Sequence, residues 1–315
     1  MSRKEKELKE LVTEQPNSLT IGPPQDASSY HLIEPFSYLL SSHKQESQHA
    51  PATALLILNQ EINVDLVRLW QLADVVVCAD GAANRIYNYF ATTSNQAEYI
   101  PNYIVGDFDS LKPEIGRYYE SRGAKLIRQS SQYANDFNKA IFCIQLHFLY
   151  IKHNTQWPKE IDTDSGLSTT FQDKFQNQSS IPIKIYTLSA IGGRFDQTIQ
   201  SINQLYILHQ ESPNLEVFYL TQNDILFLLY KGVNYVAYRG KTTFSKNGDT
   251  TPPTCGLLPL SSRAVVLSTH GLKYDVTQWT TQMTAYVSSS NRIVGENGFT
   301  VHCSDDILMN IEIDL

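Results

Sequence analysis

Short apolar runs alternate with helical patterns through the middle of the chain. Strands are predicted over TALLILN, VVVCAD, YIVGD, AKLIRQ, IKIYTLSA and LEVFYLT. Helices are predicted over INVDLVRLWQLAD, residues 81–90, KPEIGRYYESRG, NDFNKAIFCIQLHFLYIKH and QTIQSINQLYILHQ. In the last of these helices, the predicted apolar side carries Ile199, Ile202, Leu205, Tyr206 and Leu208. Repeated strand–helix units predict an α/β fold: a mainly parallel open sheet with helices on both faces.

The pattern changes at three places and predicts three regions. Residues 1–52 are polar around one short apolar segment and form an N-terminal arm. Residues 53–221 form the α/β domain, interrupted at about 154–180 by a polar stretch without a clear period, which we expect to be a surface insertion. From residue 222 to 315, short β-type runs alternate with turn residues, which predicts an all-β sandwich domain.

Composition and charge exclude several classes of protein. The 315 residues are 42% hydrophobic and carry a net charge of −7, so a basic nucleic-acid-binding surface is not expected. No apolar stretch reaches the roughly 18 residues of a membrane helix, and the first residues lack a secretory pattern, so we expect a cytoplasmic protein that does not bind membranes. The four cysteines contain no C-x-x-C pair and predict buried thiols.

Four predicted strands are followed by polar side chains. These are Asp80 after VVVCA, Asp107 and Asp109 in YIVGDFDS, Gln132 and Asp136 after AKLIRQ, and Arg194 and Asp196 after IKIYTLSA. Ligands of open parallel sheets bind outside the carboxyl ends of the strands. We therefore expect these side chains to converge on one ligand.

The D-x-D of YIVGDFDS predicts a metal site. Residues i and i+2 of an extended segment point to the same side, and Mg²⁺ is usually held by one or two carboxylates together with substrate phosphates. The alternative is that Asp107 or Asp109 only caps the next helix or turn. Three further polar strand ends make the metal site the stronger interpretation.

The IGGRFDQ turn predicts a phosphate contact, because backbone N–H groups and Arg194 precede a helix there. A tight structural turn is the alternative. The chain has no G-x-G-x-x-G fingerprint, and GKT at 240–242 lacks the first glycine of a P-loop.

CADGAANRIYNY, GDFDS, NDFNK, GGRFDQ, CGLLPL, GLKYDVT and VSSSN occur in this order from about residue 53 to the end. Together they closely resemble the thiamine pyrophosphokinase family, in its fungal form. The resemblance implies an α/β domain followed by a β-sandwich, ATP as co-substrate, Mg²⁺, thiamine as acceptor, and a homodimer whose active sites lie between subunits.

The resemblance also implies roles for individual residues. Asp107, Asp109 and Asp136 match the metal site, and Asp80, Arg194 and Asp196 match other catalytic positions. The substrate-binding positions are Asn84, Arg85, Gln132, Lys139, Gly192, Gly193, Arg194, Gln197, Ser288, Ser290 and Asn291. Two departures from the family are Ser131 and Tyr133, where acids usually flank the glutamine, and Val294, near the position of a stacking tryptophan in animal members.

The implied reaction is attack of the thiamine hydroxyl on the β-phosphorus of ATP, which releases AMP. Asp136 or Asp80 is expected to accept the hydroxyl proton. The strand-end acids alone equally allow another Mg²⁺-dependent nucleotide transferase or hydrolase. A non-catalytic nucleotide or thiamine sensor on the same fold is a further alternative.

Overall fold

The computed structural model describes residues 11–39, 51–91, 96–158, 161–162, 166–175, 181–244 and 251–314. It divides into two compact units. The α/β unit is His43–Leu220, and the β unit is Met1–Ser42 together with Thr221–Leu315. None of the helices in the described parts of the chain combines the length and the apolar character that crossing a bilayer requires.

Seventeen strands and six α-helices follow one another along the described residues. The strands are β1 (Val12–Glu14), β2 (His31–Ile33), β3 (Ala52–Ile57), β4 (Val75–Ala79), β5 (Tyr103–Gly106), β6 (Lys125–Arg128), β7 (Ile183–Leu188), β8 (Leu215–Leu220), β9 (Asp224–Leu229), β10 (Gly232–Ala237), β11 (Thr254–Leu258), β12 (Val265–His270), β13 (Tyr274–Val276), β14 (Trp279–Thr281), β15 (Ser288–Arg292), β16 (Gly298–Cys303) and β17 (Ile307–Glu312). The helices are α1 (Leu66–Leu72), α2 (Ala82–Phe90), α3 (Pro113–Glu120), α4 (Asp136–Lys152), α5 (Gly166–Phe175) and α6 (Phe195–Glu211).

The α/β unit contains six parallel strands in the order β8-β7-β3-β4-β5-β6. Strands β4, β5 and β7 are buried along their whole length, as expected for a parallel sheet covered by helices. The chain runs outward from β3 to β6 and then returns to place β7 on the other side of β3. The order therefore reverses between β3 and β7, which confirms the predicted open sheet and defines its switch point.

Local signals explain where the helices of this unit begin and end. The Asn135 side chain accepts a hydrogen bond from the Asn138 backbone at 2.8 Å and caps α4, which packs against β4 and β5. Pro113 opens α3, and Gly123, with φ of 100°, follows the end of that helix in a conformation that favours glycine.

The insertion predicted at about 154–180 contains helix α5. This helix packs against α4, where the rings of Phe171 and Phe142 are 5.8 Å apart, and its Leu167 is buried. Residues 159–160, 163–165 and 176–180 of the predicted insertion lie outside the described residues. One expectation for α6 was wrong. The predicted Leu205 and Leu208 are buried together with Ser201 and Gln204, whereas Ile199, which was assigned to the same side, is 48% exposed.

The β unit is built from two larger sets of strands. One has the order β14-β12-β16-β10-β2, and the other has the order β15-β11-β17-β9, in which all pairs are antiparallel. The N-terminal residues join this unit, since β2 pairs in parallel with β10 and β1 pairs with β13. All four cysteines of the chain are buried free thiols, as predicted.

Candidate active site

A cleft of about 580 Å³ opens at the carboxyl ends of the strands of the α/β unit. It lies where the strand order reverses, so residues that follow β3 and β7 line it together with those that follow β4 and β5. The lining residues are mostly polar. They are Leu58, Asn59, Gln60, Ala79, Asp80, Asp107, Asp109, Ser110, Gln132, Ala134, Asn135, Asp136, Phe137, Lys139, Ser189, Ala190, Arg194, Gln197, Gln200 and Ser201.

Strained turns aim the strand ends into the cleft. Asp80, Phe108 and Ser189 have φ values of 44°, 67° and 62°, which residues other than glycine rarely adopt. Gly106 is required at the end of β5 because a Cβ there would approach the Asp80 Cβ to 2.6 Å. Strain of this kind is typical of functional sites.

Three carboxylates meet at the centre of the cleft. Among the described residues, Asp80, Asp107 and Asp109 offer ligand atoms that all lie within 4.8 Å of one another. Asp80 is 3% exposed; its Oδ2 accepts a hydrogen bond from the Ser110 backbone at 3.1 Å, while its buried Oδ1 has no hydrogen-bond partner. Three acids around an unpaired buried oxygen fit a hard divalent cation such as Mg²⁺.

The neighbours of each carboxylate shift its pKa in different directions. Burial, followed by the nearby Asp136 charge, raises the pKa of Asp80 to about 6. Burial also acts to raise the pKa of Asp107, but hydrogen bonds from the Gln132 side chain and the Asp109 backbone outweigh it, and the pKa of Asp107 lies below its usual value. The Gln132 amide is 2.9 Å from Asp107 Oδ2, so Gln132 favours the charged form that binds a metal.

Asp136 lies in the same cleft beside a buried cation. Burial raises the pKa of Asp136, against a hydrogen bond from Lys139 that lowers it. Lys139 Nζ is 3.1 Å from Asp136 Oδ1, one turn further along α4, and its side chain is 5% exposed. Lys139 therefore places a positive charge in the cleft, where it also acts to lower the pKa of Asp107.

The glycine turn lies at one edge of the cleft. Gly192 and Gly193 have φ values of 113° and 62°, and a Cβ at Gly193 would collide with the Gln60 side chain. Arg194 lines the cleft at the start of α6, where its guanidinium forms an exposed ion pair with Asp196 at 2.6 Å. Gly192, Gly193 and Asp196 are not among the lining residues.

Two other predicted binding residues support the rim. The Asn84 side chain donates to the Ser110 carbonyl at 2.7 Å and accepts from the Lys112 backbone at 3.1 Å. Arg85 Nε donates to Asn59 Oδ1 at 3.1 Å. In these contacts Asn84 holds the segment that follows Asp109, and Arg85 holds the turn that follows β3.

The remaining predicted positions belong to the β unit. Ser288, Ser290 and Asn291 lie on β15, where the Asn291 side chain is buried and bonds the backbone N–H and C=O of Tyr274. Ser290 has φ of 59°, and Val294 is completely buried. Val294 therefore offers no surface for stacking.

Sequence reasoning missed part of the lining. Asn59 and Gln60 follow β3, Ser189 follows β7, and Gln200 and Ser201 lie on α6. The available signal was the polar pair after TALLIL, which is one more strand that ends in polar residues.

Comparison with known proteins agrees with this arrangement. Residues 66–218 match the family model described as thiamin pyrophosphokinase, catalytic domain, and residues 241–308 match the model described as thiamin pyrophosphokinase, vitamin B1 binding domain. The chain belongs to the thiamin pyrophosphokinase family. The resemblance seen in its motifs is thereby confirmed.

Relatives of this family cover nearly the whole chain. Thiamine pyrophosphokinase of Saccharomyces cerevisiae is 37% identical over 287 residues, which are 86% of this chain and 88% of the relative. The solved thiamin pyrophosphokinase from Candida albicans is 53% identical with a TM-score of 0.84, covering 96% of this chain and 98% of its own. The crystal structure of the yeast enzyme gives 33% identity and a TM-score of 0.83, with 96% of both chains covered.

Proposed function

We propose that this chain uses ATP and Mg²⁺ to convert thiamine to thiamine diphosphate. The observation that carries the proposal is the group of Asp80, Asp107 and Asp109 at the switch point of a sheet whose family is that of the thiamin pyrophosphokinases. A bound Mg²⁺ would neutralise the negative charge of the triphosphate and orient it.

Asp107 and Asp109 are the proposed metal ligands, as the D-x-D predicted. Asp80 is favoured as the third ligand of the nucleotide-free site, because its buried Oδ1 lacks a partner. Asp136, which the family resemblance implies as a ligand, already pairs with Lys139 there. Asp136 is therefore the proposed acceptor of the hydroxyl proton, and Lys139 and Arg194 are the proposed contacts of phosphate oxygens.

The proposed reaction forms a bond between the hydroxyethyl oxygen of thiamine and the β-phosphorus of ATP. The bond from that phosphorus to the oxygen shared with the α-phosphorus breaks, and AMP leaves with the electron pair. The proton of the hydroxyl group passes to a carboxylate of the cleft. Positioning and charge neutralisation supply most of the catalysis in such transfers.

A homodimer is proposed to complete the thiamine site. The cleft lining is mostly polar and offers little apolar surface for an aromatic vitamin. Next to Arg194, Phe195 and Ile199 are 77% and 48% exposed, which is typical of a surface that another chain covers. The resemblance assigns Ser288, Ser290 and Asn291 of a second copy to the thiamine side of the site.

One incubation tests the proposal. With ATP, Mg²⁺ and thiamine we expect AMP and thiamine diphosphate in equal amounts, and no product after EDTA is added. ADP with thiamine monophosphate would contradict diphosphoryl transfer, and nucleotide cleavage independent of thiamine would favour another nucleotide transferase or hydrolase. Binding of ATP or thiamine without any product would favour a sensor.

A further inference from the structure

The segment between β6 and α4 is held on both of its sides. We call residues 129–135 the Gln132 loop. On the side of the cleft, Gln132 Nε2 donates to Asp107 Oδ2 at 2.9 Å. On the other side, the loop forms hydrogen bonds with Ile161, Asp162 and Leu167 of the insertion.

The contacts with the insertion use charge as well as hydrogen bonds. The Ser130 backbone N–H and hydroxyl donate to the two oxygens of the Asp162 carboxylate at 2.7 and 2.9 Å. Arg128 Nε lies 3.9 Å from the same carboxylate. Hydrogen bonds to an ionised acceptor are the stronger kind, so Asp162 restrains the start of the loop.

The buried side chain of Gln129 also links the loop to the insertion. Its Nε2 donates to the Ile161 carbonyl, and its Oε1 accepts from the Leu167 backbone at 2.8 Å. Gly166, with φ of 38°, allows this approach, because a Cβ there would overlap the Gln129 amide. These hydrogen bonds join the start of the loop to the insertion, beside a cavity of about 360 Å³ that both segments line.

Helix α5 anchors the insertion side of these contacts. Leu167, at its first turn, is 1% exposed, and α5 packs along α4, whose first turn carries Asp136 and Lys139. The insertion thus contacts α4, the helix that follows the Gln132 loop and carries Asp136 and Lys139 into the cleft.

We propose that Asp162 and Gln129 are positioning residues for the metal site, because they hold the Gln132 loop where Gln132 orients Asp107. The proposal rests on the proposed function, in which Asp107 is a metal ligand. Groups that orient metal ligands typically contribute about 10–100-fold to metal affinity. Asp162 acts one step further away, so a smaller effect is expected.

The test compares metal binding by five proteins without nucleotide, with Mn²⁺ as the probe and electron paramagnetic resonance as the readout. They are wild type, Asp162→Ala, Gln132→Ala, the double variant, and Asp173→Ala as control, since Asp173 is an exposed aspartate on α5. We expect Asp162→Ala to weaken Mn²⁺ binding by about 3–10-fold, and Gln132→Ala by about 10-fold or more. The double variant should bind like Gln132→Ala alone, because both changes remove one orienting contact. The control should match wild type.

Two further measurements separate positioning from a general loss of structure. Hydrogen exchange of the amides in 129–134 should become faster in Asp162→Ala, with unchanged exchange in the strands. Asp162→Asn should restore most of the affinity, since an amide can accept from the Ser130 backbone and donate to its hydroxyl. In the activity assay, Asp162→Ala should need a higher Mg²⁺ concentration for half-maximal rate, while its KM for thiamine should equal that of wild type.

Mn²⁺ affinity of Asp162→Ala within about twofold of wild type, or additive effects in the double variant, would overturn the proposal and leave the proposed function intact. If Asp107→Asn binds Mn²⁺ as wild type does, the metal role of Asp107 and the positioning role both fail. If wild type forms no AMP although Asp162→Ala weakens Mn²⁺ binding as expected, the result counts against the proposed function alone.

Discussion

Replacing Asp80 with asparagine should stabilise the metal-free protein and weaken its metal binding. In the wild type the buried carboxylate lies among like charges, and its Oδ1 has no hydrogen-bond partner. Asparagine keeps an oxygen for the Ser110 N–H and places an amide donor beside the carboxylates of Asp107 and Asp109. Repulsion and a buried charge are both removed.

The magnitude follows from the pKa of Asp80, which is about 6 against an ordinary 3.8. At about 1.4 kcal/mol for each pKa unit, the ionised carboxylate lowers the free energy of unfolding by about 3 kcal/mol. Well below pH 3.8 the group is protonated in both the folded and the unfolded chain, so this destabilisation is absent. It grows as the pH rises from about 4 to about 6 and is complete above that range.

The assay is the midpoint of thermal unfolding in EDTA at pH 7 and pH 4. We expect Asp80→Asn to raise the midpoint by about 6–12 °C at pH 7 and by only about 1–2 °C at pH 4. Excess Mg²⁺ should stabilise wild type more than the variant, so the difference between their unfolding midpoints at pH 7 should become smaller. Asp173→Asn controls for the change in net charge alone. A variant that is no more stable than wild type at pH 7 in EDTA would refute the reasoning.

Two further predictions concern the metal pair and the dimer. Asp107→Asn and Asp109→Asn should each reduce kcat by about 100-fold or more with an unchanged circular dichroism spectrum, because the amide keeps the shape and loses the charge that holds the metal; near-normal turnover in either would exclude its metal role. A double variant at Asp107 and Asp109, refolded together with one carrying Ser288→Trp and Ser290→Trp, should regain about a quarter of the active sites, since about half of randomly formed dimers are mixed and each has one intact site. Mixed dimers without activity would place both halves of the site in one chain.

Much of the fold and site was predictable because the signals are local. The β-branched residues of VVVCAD and YIVGD predict strands, and both segments form them. The carboxyl ends of parallel strands meet at one edge of the sheet. Asp80, Asp107 and Asp109 lie near one another because β4 and β5 are parallel and are also neighbours in the sheet.

Two helices were described incompletely by the local pattern. Residues 166–175 show little helical periodicity, yet α5 forms because Leu167 and Phe171 pack against α4. Ile199 was grouped with Leu208, but at 3.6 residues per turn the two positions fall on opposite sides of α6, and Ile199 lies on the exposed side.

By itself, the sequence determined the alternation of strands and helices, the family, and the acids that follow the strands, because each depends on residues that are neighbours in the chain. Only the tertiary structure decided that β7 lies beside β3, which brings Asn59 and Ser189 into the cleft, and that Asp162 holds the Gln132 loop. Strand order and the docking of an insertion depend on contacts between residues far apart in the chain. Local hydrophobic patterns do not specify those partners.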